Sequence, residues 1–194
     1  MNKSRLEAFS DGVFAIIITI MVLELKVPHE PTFHALLELL PIFICYALSF
    51  LFVGVYWANH HHLFQAVKTI NTKIIWANMG LLFTLSLVPF CTAWIGESGF
   101  EKLPMALYCV DVLLAAFSSW ILQIAIGSTP GHSEELMRIF KKQKVKTYIS
   151  MFFNVSSIPM ALYYPYVSCL LTFIVMVLWI VPSKEIERAL QKGE

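Results

Sequence analysis

Long apolar runs, broken by short polar or proline-bearing interruptions, divide the chain into six segments, each near the roughly 20 residues that a helix needs to cross a bilayer. They fall at about 6–25, 36–58, 74–95, 103–126, 146–163 and 165–181. The last two are separate because one helix over 145–181, at ~1.5 Å per residue, would run to about 55 Å against a hydrocarbon core of ~30 Å. Pro159 and Pro165 therefore predict a hairpin. The fifth segment is the most polar: Asn154, Ser156 and Ser157 suit protein neighbours better than lipid tails. The pattern predicts an all-α integral membrane protein with six transmembrane helices in one domain over 1–194.

Composition agrees, with 58% hydrophobic and 14% charged residues. The first apolar run is as long as a span and lacks a small-residue cleavage site, so it is expected to stay in place. A net charge of +1 offers no concentrated basic face for nucleic acid. Cys45, Cys91, Cys109 and Cys169 all lie in apolar runs without C-x-x-C spacing, which predicts small core residues. With six spans and the N-terminus inside, twelve of the 14 Lys and Arg fall on the inner side and only Lys26 and Lys102 on the outer. The C-terminal Lys184, Arg188 and Lys192 require the sixth span. A multi-pass protein of the cell membrane with both termini cytoplasmic follows, its basic run at 138–146 acting as a topology signal and headgroup contact.

On a helical wheel at about 100° per residue, with Ile16 at zero, Gly12 falls at about −40°, Thr19 at −60°, Ile20 at +40° and Leu23 at −20°. These form one stripe. Asp11, at about −140°, and Ser10, at +120°, point away from it. An intramembrane carboxylate is normally turned inward and partnered. Candidate partners at the same depth are Trp57, Asn59, His60, His61 and His62 at the end of the second segment, Asn78 in the third, and Arg5.

The pattern R-x-x-x-F-S-D (Arg5, Phe9, Ser10, Asp11), followed by GVFAIIITIMVLEL, resembles the first-helix signature of the transmembrane protein 175 family. Members of that family are potassium channels of lysosomes and prokaryotes. The W-x-N-H-H end of the second segment (Trp57, Asn59, His60, His61) and the 194-residue length are similar to its prokaryotic branch. The signature occurs once here, where lysosomal members carry two copies, and that implies a homotetramer around a central pore. The resemblance further implies a pore lined by the first helix, with Ile16, Ile20 and Leu23, and Thr19 beside them, as an aliphatic constriction that serves as gate and filter. Arg5, Phe9, Ser10 and Asp11 would hold the cytoplasmic helix ends together by hydrogen bonds. On the wheel, Arg5 and Phe9 instead fall at about −20° and +20°, where they would flank the inner mouth.

An aliphatic neck can pass potassium ahead of sodium because potassium gives up its hydration water more readily. Such a neck also gates by dewetting. No T-V-G-Y-G run supplies a carbonyl cage, so selectivity should be modest. The permeating ion is then K⁺, with no cofactor. Glu24 either gathers cations at the pore mouth or is a solvated interfacial residue. Consecutive histidines fan out around a helix and do not converge on a metal, so a hydrogen bond from one of them to Asp11 or Ser10 is the expected role. Asp111 is either a proton-relay carboxylate or reaches the outer interface, and Pro41 and Pro89 are expected to kink helices. The alternative function is a secondary transporter of a cation or small solute, which would call for repeats and broken helices. An enzyme is not expected, because no nucleophile accompanies the His and Asp cluster.

Overall fold

The computed structural model describes residues 2–130 and 134–180. Among these residues are eight helices: α1 (Lys3–Val22), α2 (Phe33–Glu38), α3 (Leu40–Ala66), α4 (Thr72–Leu85), α5 (Val88–Ser98), α6 (Lys102–Gly127), α7 (Glu134–Tyr163) and α8 (Pro165–Ile180). Helix is the expected outcome for such apolar runs, because lipid offers the backbone no hydrogen bonds and each N–H must find a carbonyl within its own segment. The β-branched stretch Ile16–Ile20 is accordingly helical despite its weak intrinsic preference.

Three stretches are long and apolar enough to cross a membrane: Leu40–Gln65, Thr72–Ser98 and Lys102–Gly127. They correspond to the second, third and fourth predicted spans. The other three predicted spans are helical but fall short on charge or length. α1 carries Arg5, Glu7 and Asp11, α7 contains the basic run and the polar Asn154, Ser156 and Ser157, and α8 has 16 residues. Residue 181 and the topological markers Lys184, Arg188 and Lys192 lie outside the described residues.

The prolines behave differently from expectation. Pro41 stands in the first turn of α3 and starts that helix instead of kinking it, since its missing N–H is unneeded there. Pro89 has the same place in α5, just after the Ser86–Leu87 interruption that divides Thr72–Ser98 in two. α7 continues through Pro159, and the hairpin turns at Tyr164, immediately before Pro165. The basic run at 138–146 is therefore part of a helix rather than a loop.

α6 is central and packs on α4, α5, α7 and α8, while α1 packs on α3, α4 and α5. Small hydroxyls join the helices where packing is tight. Thr92 Oγ1 donates to Ser49 Oγ (2.7 Å), which lies 3.3 Å from the Tyr108 hydroxyl, so α3, α5 and α6 meet there. Ser168 Oγ donates to the Ser157 carbonyl (2.7 Å) and contacts Cys109 Sγ (2.9 Å), linking α6, α7 and α8. The four cysteines are free thiols, three of them buried. Asp111 is also buried, so it does not reach the outer interface, and neither of its oxygens has a partner among the described residues.

Gly96 sets the approach of α5 to α3. A Cβ built there would sit 3.1 Å from the Ile42 Cα and 3.3 Å from its Cγ1. For Gly96→Ala, the strain is offset by a helix-propensity gain of about 1 kcal/mol, so near-neutral stability is expected. Gly96→Val should destabilise by about 1–3 kcal/mol through overpacking, measured as a lower melting temperature of the detergent-solubilised protein.

Candidate functional site

Asn2 caps α1, its side chain accepting from the Arg5 amide (3.1 Å), and the helix then divides into two faces. Leu6, Ser10, Phe14, Ile17 and Met21 are all buried against the bundle. Opposite them, Ile16 is 57% exposed, Ile20 44% and Leu23 74%, in line with exposed Gly12 and Thr19. The aliphatic stripe read from the wheel is thus the uncovered face of α1. Thr19 Oγ1 donates into its own helix, to the Ala15 and Ile16 carbonyls (both 3.0 Å). The hydroxyl proton is occupied, so what the stripe gains from Thr19 is an oxygen lone pair.

The buried face carries a polar bracket. His60 Nε2 donates to Asn78 Oδ1 (2.7 Å), Asn78 Nδ2 donates to Ser10 Oγ (2.9 Å), and Ser10 Oγ donates to the Leu6 carbonyl (2.8 Å). A carbonyl oxygen only accepts, so His60 carries its proton on Nε2. Ser10 and Asn78 are fully buried and His60 is 4% exposed. The His60 ring stacks on Phe64 with centroids 4.4 Å apart and lies 5.4 Å from that of Phe14. The bracket ties α1 to α3 and α4, with each link away from water, where losing a partner is costly.

A second, more exposed string runs beside it. Trp57 Nε1 donates to Asp11 Oδ1 (2.9 Å), the Trp57 ring stacks on His61 (5.8 Å), and His61 Nε2 lies 3.0 Å from Gln65 Nε2. Lys3 Nζ donates to the Gln65 carbonyl (3.0 Å), clamping the start of α1 to the end of α3. Lys3 is a contributor the sequence reading missed. Its place one turn before Glu7, 3.9 Å away, was the available hint.

Several expected members stand elsewhere. Among the described residues no histidine bonds Asp11 or Ser10 directly; His60 reaches Ser10 through Asn78. Asn59 turns to the Val55 and Trp179 carbonyls (2.8 and 3.3 Å), joining α3 to α8 instead of to α1. Arg5 and Phe9 are exposed on the stripe side of α1, across the helix from Ser10, so within one chain they lie apart from both strings. Glu24 is half-buried just beyond α1. The next residues reach outward to Lys26, whose Nζ pairs with Glu97 (3.0 Å), and this hydrogen bond and charge raise the lysine pKa.

Membrane-length apolar helices, and an amino-terminal helix bracketed by polar bonds on one face and bare on the other, define a helical multi-pass membrane protein. The sequence model described as Endosomal/lysosomal potassium channel TMEM175 matches residues 5–89, which hold α1 from Arg5 onward, the buried bracket, the Asp11–Trp57 bond and the stripe. A potassium channel of Chryseobacterium sp. (strain P1-3) is 47% identical over 193 residues, covering 100% of both chains. A potassium channel of Streptomyces collinus is 41% identical over 102 residues, half of each chain. The fold matches the crystal structure of a lysosomal potassium-selective channel TMEM175 homolog from Chamaesiphon minutus with a TM-score of 0.75 and 24% identity, over 92% of this chain and 96% of that one. The chain belongs to the TMEM175 family, a family of ion channels, and is not an enzyme.

Proposed function

We propose that four copies of this chain, each crossing the cell membrane six times with both termini cytoplasmic, form a channel that passes potassium modestly better than sodium. The α1 helices line its axis, and rings of Ile16, Ile20 and Leu23 make the neck that gates and selects. The observation that carries this reading is the uncovered aliphatic stripe on a helix whose other face is fixed by buried hydrogen bonds. Such anchoring suits a helix that sets the width of an ion path. Closed rotational symmetry is the usual way for identical chains to enclose an axis, and the potassium-channel names of the relatives support the choice of ion.

In this arrangement a partly dehydrated cation meets hydrocarbon at Ile16, Ile20 and Leu23, with the Thr19 oxygen the one polar atom along the stripe. Arg5 and Phe9 flank the cytoplasmic mouth, and Glu24 gathers cations at the other end. No cofactor is called for.

Purified protein in liposomes under opposed potassium and sodium gradients should give a reversal potential displaced toward the potassium equilibrium value. A reversal potential at zero, or flux that saturates and moves protons in exchange, would replace the channel by the carrier reading. Single cysteines at Ile16, Ile20 or Leu23 should react with small water-soluble thiol reagents and block current. The natural Cys45, Cys91 and Cys109 are buried, and the partly exposed Cys169 is replaced by serine to give the unreactive background.

A further inference from the structure

A cavity of about 120 Å³ lies within a single chain, between α3, α6, α7 and α8 and away from the α1 stripe. Asn154 on α7 lines it, is 1% exposed, and has no hydrogen-bond partner for its Oδ1 among the described residues. His62 lines the same cavity, and its Nδ1 is likewise unpartnered. Buried polar atoms are almost always paired, and each exception calls for an explanation. Two orphans around one empty space point to an occupant.

The lining constrains what that occupant is. Of the lining hydroxyls, Thr147 Oγ1 and Thr172 Oγ1 donate to the Gln143 and Cys169 carbonyls (3.1 and 2.8 Å), and Ser150 Oγ accepts from Trp179 Nε1 (2.8 Å). At Asn154 Oδ1, an acceptor, the missing partner is a donor. Among the described residues no acidic side chain lines the cavity. Much of the wall is apolar, including Met151, Val175 and Met176, which suits an occupant with an apolar body. In size, the cavity approaches the ~150 Å³ that accommodates a benzene ring.

We infer that this cavity binds a small neutral molecule combining an apolar body with one O–H donor, of the phenol or short-chain alcohol class, and that Asn154 Oδ1 accepts its hydrogen bond. The site goes beyond the channel reading and does not depend on it, since it is built within one chain.

The test uses the purified full-length protein in nanodiscs, with 4-fluorophenol and 4-fluorotoluene as ¹⁹F NMR probes and protein-free nanodiscs as the control for partitioning into lipid. Saturable 4-fluorophenol binding, displaced by unlabelled phenol and at least tenfold tighter than 4-fluorotoluene, is expected. Asn154→Leu should bring the two probes to parity. Ala116→Phe, which fills the cavity from α6, should abolish both. Equal retention of the two probes by the unaltered protein, no saturable binding above empty nanodiscs, or undiminished phenol binding in Ala116→Phe would each overturn the proposal. If Asn154→Leu does not fold, the probe pair on the unaltered protein and on Ala116→Phe decides the matter. Ion flux in the same preparations reports separately on the channel.

Discussion

Ile16→Asn is expected to raise single-channel conductance several-fold and to move the reversal potential under a potassium–sodium gradient most of the way to zero. Ile16 sits in the middle of the uncovered stripe, with Gly12 and Ile20 one turn to either side. In a symmetric assembly one substitution changes every copy, so a whole ring of hydrocarbon becomes a ring of amides. Water enters a polar neck far more readily than an apolar one, which removes the dewetting barrier. The amide oxygens also replace lost hydration water for sodium as well as for potassium, which erodes the preference between them. Because the side chain is exposed within its own chain, the substitution should leave stability within about 0.5 kcal/mol. Planar-bilayer recordings of the unaltered and altered proteins test this directly. Unchanged conductance and selectivity would remove Ile16 from the ion path.

Asn78→Leu should do the opposite, damaging the protein while sparing its selectivity. The amide is fully buried and serves two partners at once, accepting from His60 and donating to Ser10. Ser10 keeps its bond to the Leu6 carbonyl, but the buried His60 Nε2 loses its acceptor. A stranded buried group costs about 1–3 kcal/mol. Detaching α1 from α4 adds to that, because no other described polar bond joins these two helices. The expected readout is a lower melting temperature and a smaller assembled fraction in size-exclusion chromatography, with an unaltered reversal potential in the channels that survive. Asp11→Ala should act in the same direction but more weakly, since its bond to Trp57 is exposed to solvent screening.

The stripe was legible in the sequence because the azimuth of a residue on a helix depends only on counting. Partner choice was not legible, because it depends on how neighbouring helices are rotated. The WANHHH run shows this. About the α3 axis, Asn59 lies roughly 200° from Trp57, whereas His60 and His61 lie within about 60° of it. Once Trp57 faces Asp11, Asn59 must face away, and it meets Trp179 on α8. His62, about 140° round, lines the cavity. The same limit explains why a histidine was paired in expectation with Ser10 when Asn78 stands between them.

Helix ends were less legible than helix existence, for a local reason. A proline is tolerated in the first turn of a helix and disfavoured inside it, so Pro41 and Pro89 could each be read as a kink or as a start. Pro159 is the reverse case: α7 runs on past it to Tyr163.

The described polar ties from α1 to its neighbours, through Lys3, Ser10 and Asp11, all lie within its first eleven residues. The next is the solvent-exposed Lys26–Glu97 pair, beyond the end of the helix. Between them, residues 12 to 23 touch the rest of the chain through apolar contacts alone, which tolerate sliding where hydrogen bonds do not. The helix is therefore built like an oar in its rowlock: in the proposed channel, any widening of the neck should come from a swing of the far half about a fixed inner fulcrum, with displacement growing steadily from Gly12 toward Leu23.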